Sequence, residues 1–194
     1  MAGYSAIADM SRYLIEDLQK ALVPNVINAP EAIGLCSPDD HGDLRLGLFL
    51  YDVARSTDIK SNGMVSIDSR TLGYEPLYLS LSYMITAYTT GDLRYKGFEE
   101  EKIIGAVMQH FNDYPVISSN LFDADSPSSV DMRIELLSPE IDDRFRVWSF
   151  PNTGYRLSLF YRVVPVVIDS SRTREVARVT DASFNIGYST RRTR

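Results

Sequence analysis

The chain has 194 residues, a formal net charge of −6 and 44% hydrophobic residues, a composition typical of a folded domain and too apolar for a disordered one. The acidic balance argues against a general nucleic-acid binder, because neutralising phosphates requires surplus Lys and Arg. The single cysteine, Cys36, cannot form an internal disulfide, so the chain suits a reducing cytoplasm.

The N-terminal region lacks the features of an export signal. Asp9, Arg12, Glu16 and Asp17 interrupt the first twenty residues, where a signal peptide needs an apolar run. No later stretch approaches the ~18 consecutive apolar residues of a membrane-spanning helix. We therefore expect a protein without an export signal and without a membrane partner.

The first predicted element is an amphipathic helix that ends at Pro24. Its apolar residues recur at steps of three and four, and charged residues lie between them: Ile7, Met10, Leu14, Leu18 and Leu22. The polar stretch from 25 to 42, which contains two prolines and the acidic sequence CSPDDHGD, is predicted to be a loop.

Three segments place leucine or another apolar residue at every second position, which is the period of a β-strand with one buried face. They are DLRLGLFLYD (43–52), LYLSLSYMI (77–85) and LSLFYRVV (157–164). Between the first two, residues 58–76 contain the turn dipeptide Asn62-Gly63 and are predicted to form an excursion of a strand edge or a long hairpin loop.

The middle of the chain predicts a second helix from about Leu93 to Asn112, with Asp113 and Pro115 marking its end. Its apolar residues define the stripe expected to be buried: Phe98, Ile103, Ile104, Val107, Met108 and Phe111. A further strand follows a polar loop, because Met132, Ile134 and Leu136 alternate with charged residues.

A short helix is predicted after that strand, with Ser138 as N-cap and Pro139 at the first helical position. Trp148 and Phe150 are expected to anchor it. In the extension of the last leucine-rich strand, Pro165 predicts an edge position or a bulge, because proline has no N–H to donate to a neighbouring strand.

These elements predict an α+β fold in which a mixed, mostly antiparallel β-sheet is flanked by α-helices. We assign residues 1–180 to one domain and residues 181–194 to a basic C-terminal arm.

Tyr51, Tyr78 and Tyr88 lie opposite the leucines, so this face is expected to meet either another chain or a second helix layer of the same chain.

The sequence CSPDDHGD is the strongest local candidate for chemistry, because it places Cys36, Asp39, Asp40, His41 and Asp43 within eight residues. Structural zinc usually has four Cys or His ligands, and a cysteine nucleophile needs a base placed by the fold. We favour an acidic surface loop with a half-buried cysteine and predict no metal and no cofactor. The alternative is a small enzyme that uses Cys36 and His41, although no phosphate loop, nucleophile elbow or HExxH sequence occurs.

Other ionisable residues are interpreted as structural. His110 lies near the end of the second helix, where an imidazole interacts favourably with the helix dipole. The adjacent acids of 99–101 and 142–143 point in different directions on a helix, so they are expected to lie on solvated faces.

The charge of the chain is unevenly distributed, because the segment after Ser171 is basic whereas the remainder is strongly acidic. The arginines of this segment are our candidate contacts with another subunit or with another protein: Arg172, Arg174, Arg178, Arg191, Arg192 and Arg194. Opposite charges on one chain suit contacts between different patches of identical copies.

Several strings, in order, resemble the tube-capping, tail-terminator-like family of contractile injection systems, the phage-tail-like particles that include the antifeeding prophage and the Photorhabdus virulence cassettes. They are YSAIADMSRYLIEDLQKALVP, IGLCSPDD, LGLFLYDV, NGMVSI, PLYLSLSYMITAY, GAVMQHFNDYPVI, IELLSPEIDD and WSFPNTGYRLSLFYRVVPVVIDSSRTREVARV. The resemblance runs from about residue 3 to residue 180, and WSFPNTGYRLSLFY is its most specific part.

The resemblance implies a fold related to phage tail terminators and a six-fold ring on the distal end of the inner tube, where the protein stops tube polymerisation and secures the last sheath layer. It implies as partners identical copies, the inner-tube protein and the sheath protein, and synthesis in the bacterial cytoplasm followed by incorporation into a particle that is retained or released. A baseplate or adaptor protein of the same particle is the alternative within this class.

Overall fold

The computed structural model describes residues 3–59, 63–67, 70–89, 92–119, 122, 130–151 and 153–175. Its helices are α1 (Ala6–Leu22), α2 (Leu93–Asp113) and α3 (Ile141–Val147), with a 3-10 turn at Pro30–Ala32. Its strands are β1 (Ile33–Leu35), β2 (Leu46–Arg55), β3 (Val65–Ser66), β4 (Thr71–Gly73), β5 (Leu77–Ala87), β6 (Val116–Ile117), β7 (Met132–Leu137), β8 (Ser158–Ile168) and β9 (Thr173–Glu175).

The larger sheet has six strands in the order β1-β2-β5-β8-β7-β6, and the smaller one has three in the order β3-β4-β9. Among the strands of the described residues, β1 and β2 are the only pair in parallel, so the predicted mixed and mostly antiparallel sheet is confirmed. The three leucine-rich segments form the adjacent strands β2, β5 and β8, which confirms the main prediction from period-2 alternation.

Both long helices cover the same face of the six-stranded sheet, where the main core lies. Four alternating leucines of β2 and β5 are buried there with Tyr83 and Tyr161: Leu46, Leu48, Leu79 and Leu81. The Tyr83 hydroxyl is 2.8 Å from the Oγ of Ser11 on α1, so the deepest polar atom of the sheet is paired with a helix. Burial raises the pKa of Tyr83 to about 12.

The opposite face of the sheet carries a second, smaller core of Met84, Trp148 and Phe160. Met84 on β5 and Phe160 on β8 alternate with residues of the main core, so they point to the other side, where Trp148 packs against them. The predicted anchoring by Trp148 and Phe150 is confirmed, because Trp148 is buried and Phe150 packs against it. The chain itself thus covers this part of the face with α3 and the segment after it.

The prediction that the stretch from 25 to 42 is a loop is wrong in part. This stretch contains β1, in which Ile33 and Leu35 pair in parallel with Leu46 and Leu48 of β2. A three-residue strand is too short to show a period, and its partner lies more than ten residues further along the chain. The pairing is therefore a tertiary effect that overrides the local loop signals.

The prediction for Pro165 is half right. Its strand, β8, lies in the interior of the sheet, so the edge position is wrong. The bulge is present, because the register between β5 and β8 shifts between Leu79 and Leu81. The ladder with β7 ends at Val164, so on that side the missing N–H of Pro165 removes no hydrogen bond between strands.

Helix boundaries are close to those predicted, but two details are wrong. The N-cap of α3 is Glu140 without a side-chain cap bond, and Ser138 and Pro139 precede the helix. Of the stripe predicted to be buried on α2, Ile103, Ile104, Val107 and Phe111 are buried, whereas Met108 is exposed and Phe98 is largely exposed. No helix among the described residues is long and apolar enough to span a membrane.

The tyrosines opposite the leucines do not form one exposed face. Tyr88 is buried, Tyr51 packs edge-on against Phe160 with ring centroids 5.8 Å apart, and Tyr78 is half-buried. The chain therefore covers Tyr88 itself, so of the two alternatives the contact with another chain is wrong for this residue. Residues 176–194 lie outside the described residues, so the division at residue 180 stays a prediction.

Candidate functional site

The basic segment begins one residue before β9, which pairs antiparallel with β4 and is the last strand of the smaller sheet among the described residues. Tyr74 donates its backbone N–H to the carbonyl of Arg172 at 3.1 Å, and the Arg172 guanidinium lies 4.2 Å from the centre of the Tyr74 ring. This cation–π contact fixes Arg172 against its own chain.

Arg174 is the more accessible of the two described candidate arginines. It is exposed, its backbone pairs with Leu72 of β4, and its guanidinium makes no ion pair with any described residue. Arg172 lies immediately before β9 and Arg174 lies on it, and both are exposed. The other candidates, Arg178, Arg191, Arg192 and Arg194, lie outside the described residues.

The acidic stretch around Cys36 forms a packed corner of the sheet. The backbone N–H of Cys36 bonds to the carbonyl of Leu48 at 3.1 Å, which continues the β1–β2 pairing. The ring of His41 stacks on Tyr88 with centroids 3.9 Å apart and an interplanar angle of 14°. Tyr88 therefore fills the space between the loop and the sheet, a role that sequence reasoning missed.

Gly47 is the residue that makes this corner possible. A Cβ at this position would overlap the Sγ of Cys36 and lie 2.9 Å from Cε2 of Tyr88. Only a residue without a side chain allows the thiol and the aromatic ring to approach the strand so closely. The signal was present in the sequence as a glycine inside a leucine-rich strand.

The chemistry of this corner is unfavourable for a cysteine nucleophile. Burial raises the pKa of the Cys36 thiol and the Asp40 carboxylate raises it further, whereas a hydrogen bond with Tyr88 opposes the shift. A raised pKa lowers the fraction of thiolate, which is the reactive form. Among the described residues, no three His, Cys, Asp or Glu side chains are grouped as metal ligands would be.

A polar cavity of about 530 Å³ lies beside this corner and extends to α2. Glu100 at its wall accepts hydrogen bonds from the Oγ1 of Thr89 at 3.0 Å and from Arg156 at 3.2 Å. The prediction that the acids at 99–101 are all solvated is therefore wrong for Glu100, which joins α2 to β5 and to the segment before β8. Of the charged residues that line this cavity, Arg156 and Glu100 pair with each other at 3.2 Å, which gives this pair a structural role.

His110 occupies the last turn of α2, as predicted from the sequence. Its Nε2 is 2.6 Å from the Oδ2 of Asp17, so the imidazole joins the two helices that cover the main core. The predicted structural role is thus extended by a partner on α1 that sequence reasoning did not identify.

These features define an α+β protein whose six-stranded sheet holds two helices on one face and in which one arginine lies on the exposed strand β9 and another directly before it. Two solved structures have a similar fold. The sheath/tube terminator of the extracellular contractile injection system PVC, in its extended state, superposes with a TM-score of 0.66 at 16% identity, covering 95% of this chain and 64% of that one. The tube-terminating cap of the anti-feeding prophage gives 0.65 at 18% identity, covering 92% and 61%.

Residues 9–181 match the family of the Pvc16 N-terminal domain, and the chain belongs to that family. The resemblance drawn from the sequence is thereby confirmed. The chain spans less than two thirds of the length of either solved protein. No curated protein matches the sequence.

Proposed function

We propose that this chain is the structural cap of a phage-tail-like contractile injection particle. In this role it ends the inner tube and holds the last layer of sheath. The observation that carries the proposal is membership of the Pvc16 N-terminal domain family over residues 9–181, supported by a fold shared with two tube-terminating proteins. The protein is synthesised in the bacterial cytoplasm and then joins the particle.

The proposed assembly is a six-fold, head-to-tail ring with the inner-tube protein and the sheath protein as partners. A ring of identical subunits requires a heterologous interface, in which one patch meets a different patch on the neighbour. A tube grows because every new ring presents the same face as the last, so a cap needs to match the face below and present a different one above. Such a role requires no catalytic residue and no cofactor.

The length distribution of inner tubes tests the cap directly. Tubes assembled with the chain are expected to have a defined length, whereas tubes assembled without it are expected to be longer and heterogeneous. Equal length distributions would refute the proposal. Electron microscopy of labelled protein on particles decides between the cap and the alternative baseplate or adaptor, because the two lie at opposite ends of the tube.

The basic segment is our proposed contact with an adjacent subunit or with the sheath. Its six arginines are Arg172, Arg174, Arg178, Arg191, Arg192 and Arg194. Reversing the charges at 172, 174 and 178 is expected to reduce ring formation and particle assembly. Because Arg172 also stacks on Tyr74, the single substitution Arg174→Glu tests charge without loss of that contact.

A matched control for these reversals is Arg12→Glu, which reverses an exposed arginine on α1. Normal assembly of the charge-reversed segment, or equal defects in the control, would show that the arginines make no such contact. The enzyme alternative predicts a different outcome for the Cys36→Ala and His41→Ala variants, which would lose an activity while still assembling.

A further inference from the structure

The outer surface of α2 carries two exposed aromatic side chains, Tyr95 and Phe98, which we call the α2 patch. They are 66% and 74% exposed. At 3.6 residues per turn, Phe98 lies roughly 170° around the helix from the centre of its buried stripe. Phe98 and Tyr95 are three positions apart and are therefore neighbours on the helix surface. Exposed aromatic pairs of this kind are typical of interaction surfaces.

A second exposed apolar surface is formed by α3 and the segment before β8. It consists of Ile141, Phe145, Tyr155 and Leu157, which are between 40% and 54% exposed and which we call the α3 patch. The surface is continuous, because Phe145 and Tyr155 have ring centroids 4.9 Å apart and Ile141 lies one turn before Phe145.

The two patches face away from opposite sides of the sheet. The buried stripe of α2, which includes Val107, packs on the face that also holds α1. By contrast, α3 packs through Val147 on the other face, beside Trp148 and Phe160. When the α2 patch of one copy contacts the α3 patch of another, the pair still has one free α2 patch and one free α3 patch. The same contact can therefore repeat until a ring closes.

We propose that the α2 patch of one subunit docks on the α3 patch of the next subunit. This inference rests on the proposed cap function for its biological setting and assigns the interface that closes the ring. The occupant of each patch is therefore a second copy of this chain. The contact buries the aromatic rings of Phe98 and Phe145 at its centre.

The area of the patches fits an interface of this kind. The six side chains expose roughly 700 Å², at the 150–250 Å² that residues of this size present. A specific interface buries about 1,200–2,000 Å² in total, of which about 56–65% is apolar. The patches therefore supply the apolar centre of a small standard interface, which polar neighbours complete.

One pair of opposite charges lies beside the two patches. Lys102 lies one turn after Phe98 on α2, and Asp142 lies between Ile141 and Phe145 on α3. Both side chains are exposed, and neither pairs with another residue in the described part of the chain. Docking of the two patches brings these opposite charges to the same border, where they favour the correct pairing over α2 against α2 or α3 against α3.

Complementation between two variants tests the inference with the full chain. One variant carries Tyr95→Ser with Phe98→Ser, and the other carries Ile141→Ser with Phe145→Ser. Each retains one intact patch, so each alone is expected to remain monomeric, with association weakened at least thirty-fold. An equimolar mixture is expected to form dimers and no larger species, because it contains a single functional contact. Sedimentation velocity measures these species, and Tyr4→Ser is the matched control for loss of an exposed tyrosine.

A charge exchange tests the same contact without removing apolar surface, in case the substitutions on α3 unfold that short helix. Lys102→Glu and Asp142→Lys are each expected to weaken association, and the double variant is expected to recover it. Rings formed by either patch variant, a mixture that stays monomeric while both variants are folded, or no recovery in the double variant would overturn the inference.

The cap function is tested separately, by measuring the length of inner tubes assembled with the same protein variants. A wild-type chain that stays monomeric both alone and with tubes overturns the proposed interface. A wild-type chain that forms rings through these patches but leaves tube length unchanged overturns the cap and leaves the interface standing.

Discussion

The hydrogen bond between Ser11 and Tyr83 gives a prediction whose sign depends on the geometry of the main core. Tyr83 is 0% exposed, and its hydroxyl is 2.8 Å from the Oγ of Ser11. The Ser11 hydroxyl donates to the carbonyl of Ile7 at 3.2 Å, so the Tyr83 hydroxyl is the donor of the bond between them. Removal of each partner therefore has a different consequence.

Ser11→Ala leaves the Tyr83 hydroxyl buried without its acceptor, which is expected to destabilise the fold by about 1–3 kcal/mol. Tyr83→Phe removes the donor while Ser11 keeps its bond to Ile7, so its expected effect is only about 0.5–1.5 kcal/mol. In the double variant no polar atom is left unpaired. It is therefore expected to be more stable than Ser11→Ala alone.

Urea unfolding of the four proteins completes the double-mutant cycle. Trp148 is the only tryptophan and is buried, so its fluorescence reports on the transition. The measurements belong at a protein concentration low enough to keep the chain monomeric, because association adds stability. A Ser11→Ala variant as stable as Tyr83→Phe, or a double variant less stable than either single one, would refute the reasoning.

Three further predictions concern the stability of the fold. Gly47→Ala is expected to destabilise the fold by about 1–3 kcal/mol through overpacking, and Cys36→Ala in the same chain is expected to recover part of this loss in urea unfolding. Burial raises the pKa of Tyr83 to about 12, whereas its pKa in the unfolded chain is near 10. The stability that this shift contributes is complete below pH 10 and is lost as pH rises through 12. Between these values the unfolding free energy of the wild type should fall more steeply than that of Tyr83→Phe, by roughly 1.4 kcal/mol per pH unit. Phe98→Ser should change the monomer's unfolding free energy by less than about 0.5 kcal/mol, whereas Ile103→Ala should lower it by about 2–5 kcal/mol; similar values would contradict the orientation of α2.

The sheet was predictable from the sequence where its signal is local. Alternation of leucines places side chains on one face of a strand whatever its neighbours are, so β2, β5 and β8 were identified with their buried sides. Strand order depends on packing between distant segments. Pro165 indicated the bulge opposite Leu79 and Leu81, but neither segment alone could show that β8 lies in the interior of the sheet, where the edge position predicted for Pro165 is wrong.

For the candidate surfaces, too, the sequence showed the local features but not the contacts between distant residues. The basic character of the segment that begins at Arg172 was visible in the sequence, but its stacking on Tyr74 joins residues almost a hundred positions apart. Phe98 was assigned to the buried stripe because an apolar side chain usually marks the covered side of a helix. Its five-residue step to Ile103 departs from the spacing of three and four, and that departure was the available signal.

The pairing of β5 with β8 also determines the order in which a nascent chain can fold. Thr86 pairs with Ser158 and Leu77 with Ile168, so the centre of the sheet closes only after most of the chain has left the ribosome. Such high contact order slows folding, and until β8 arrives the inner edge of β5 offers an unpaired template to other chains. A polypeptide truncated before residue 158 is therefore an aggregation hazard, and productive folding depends on completed translation.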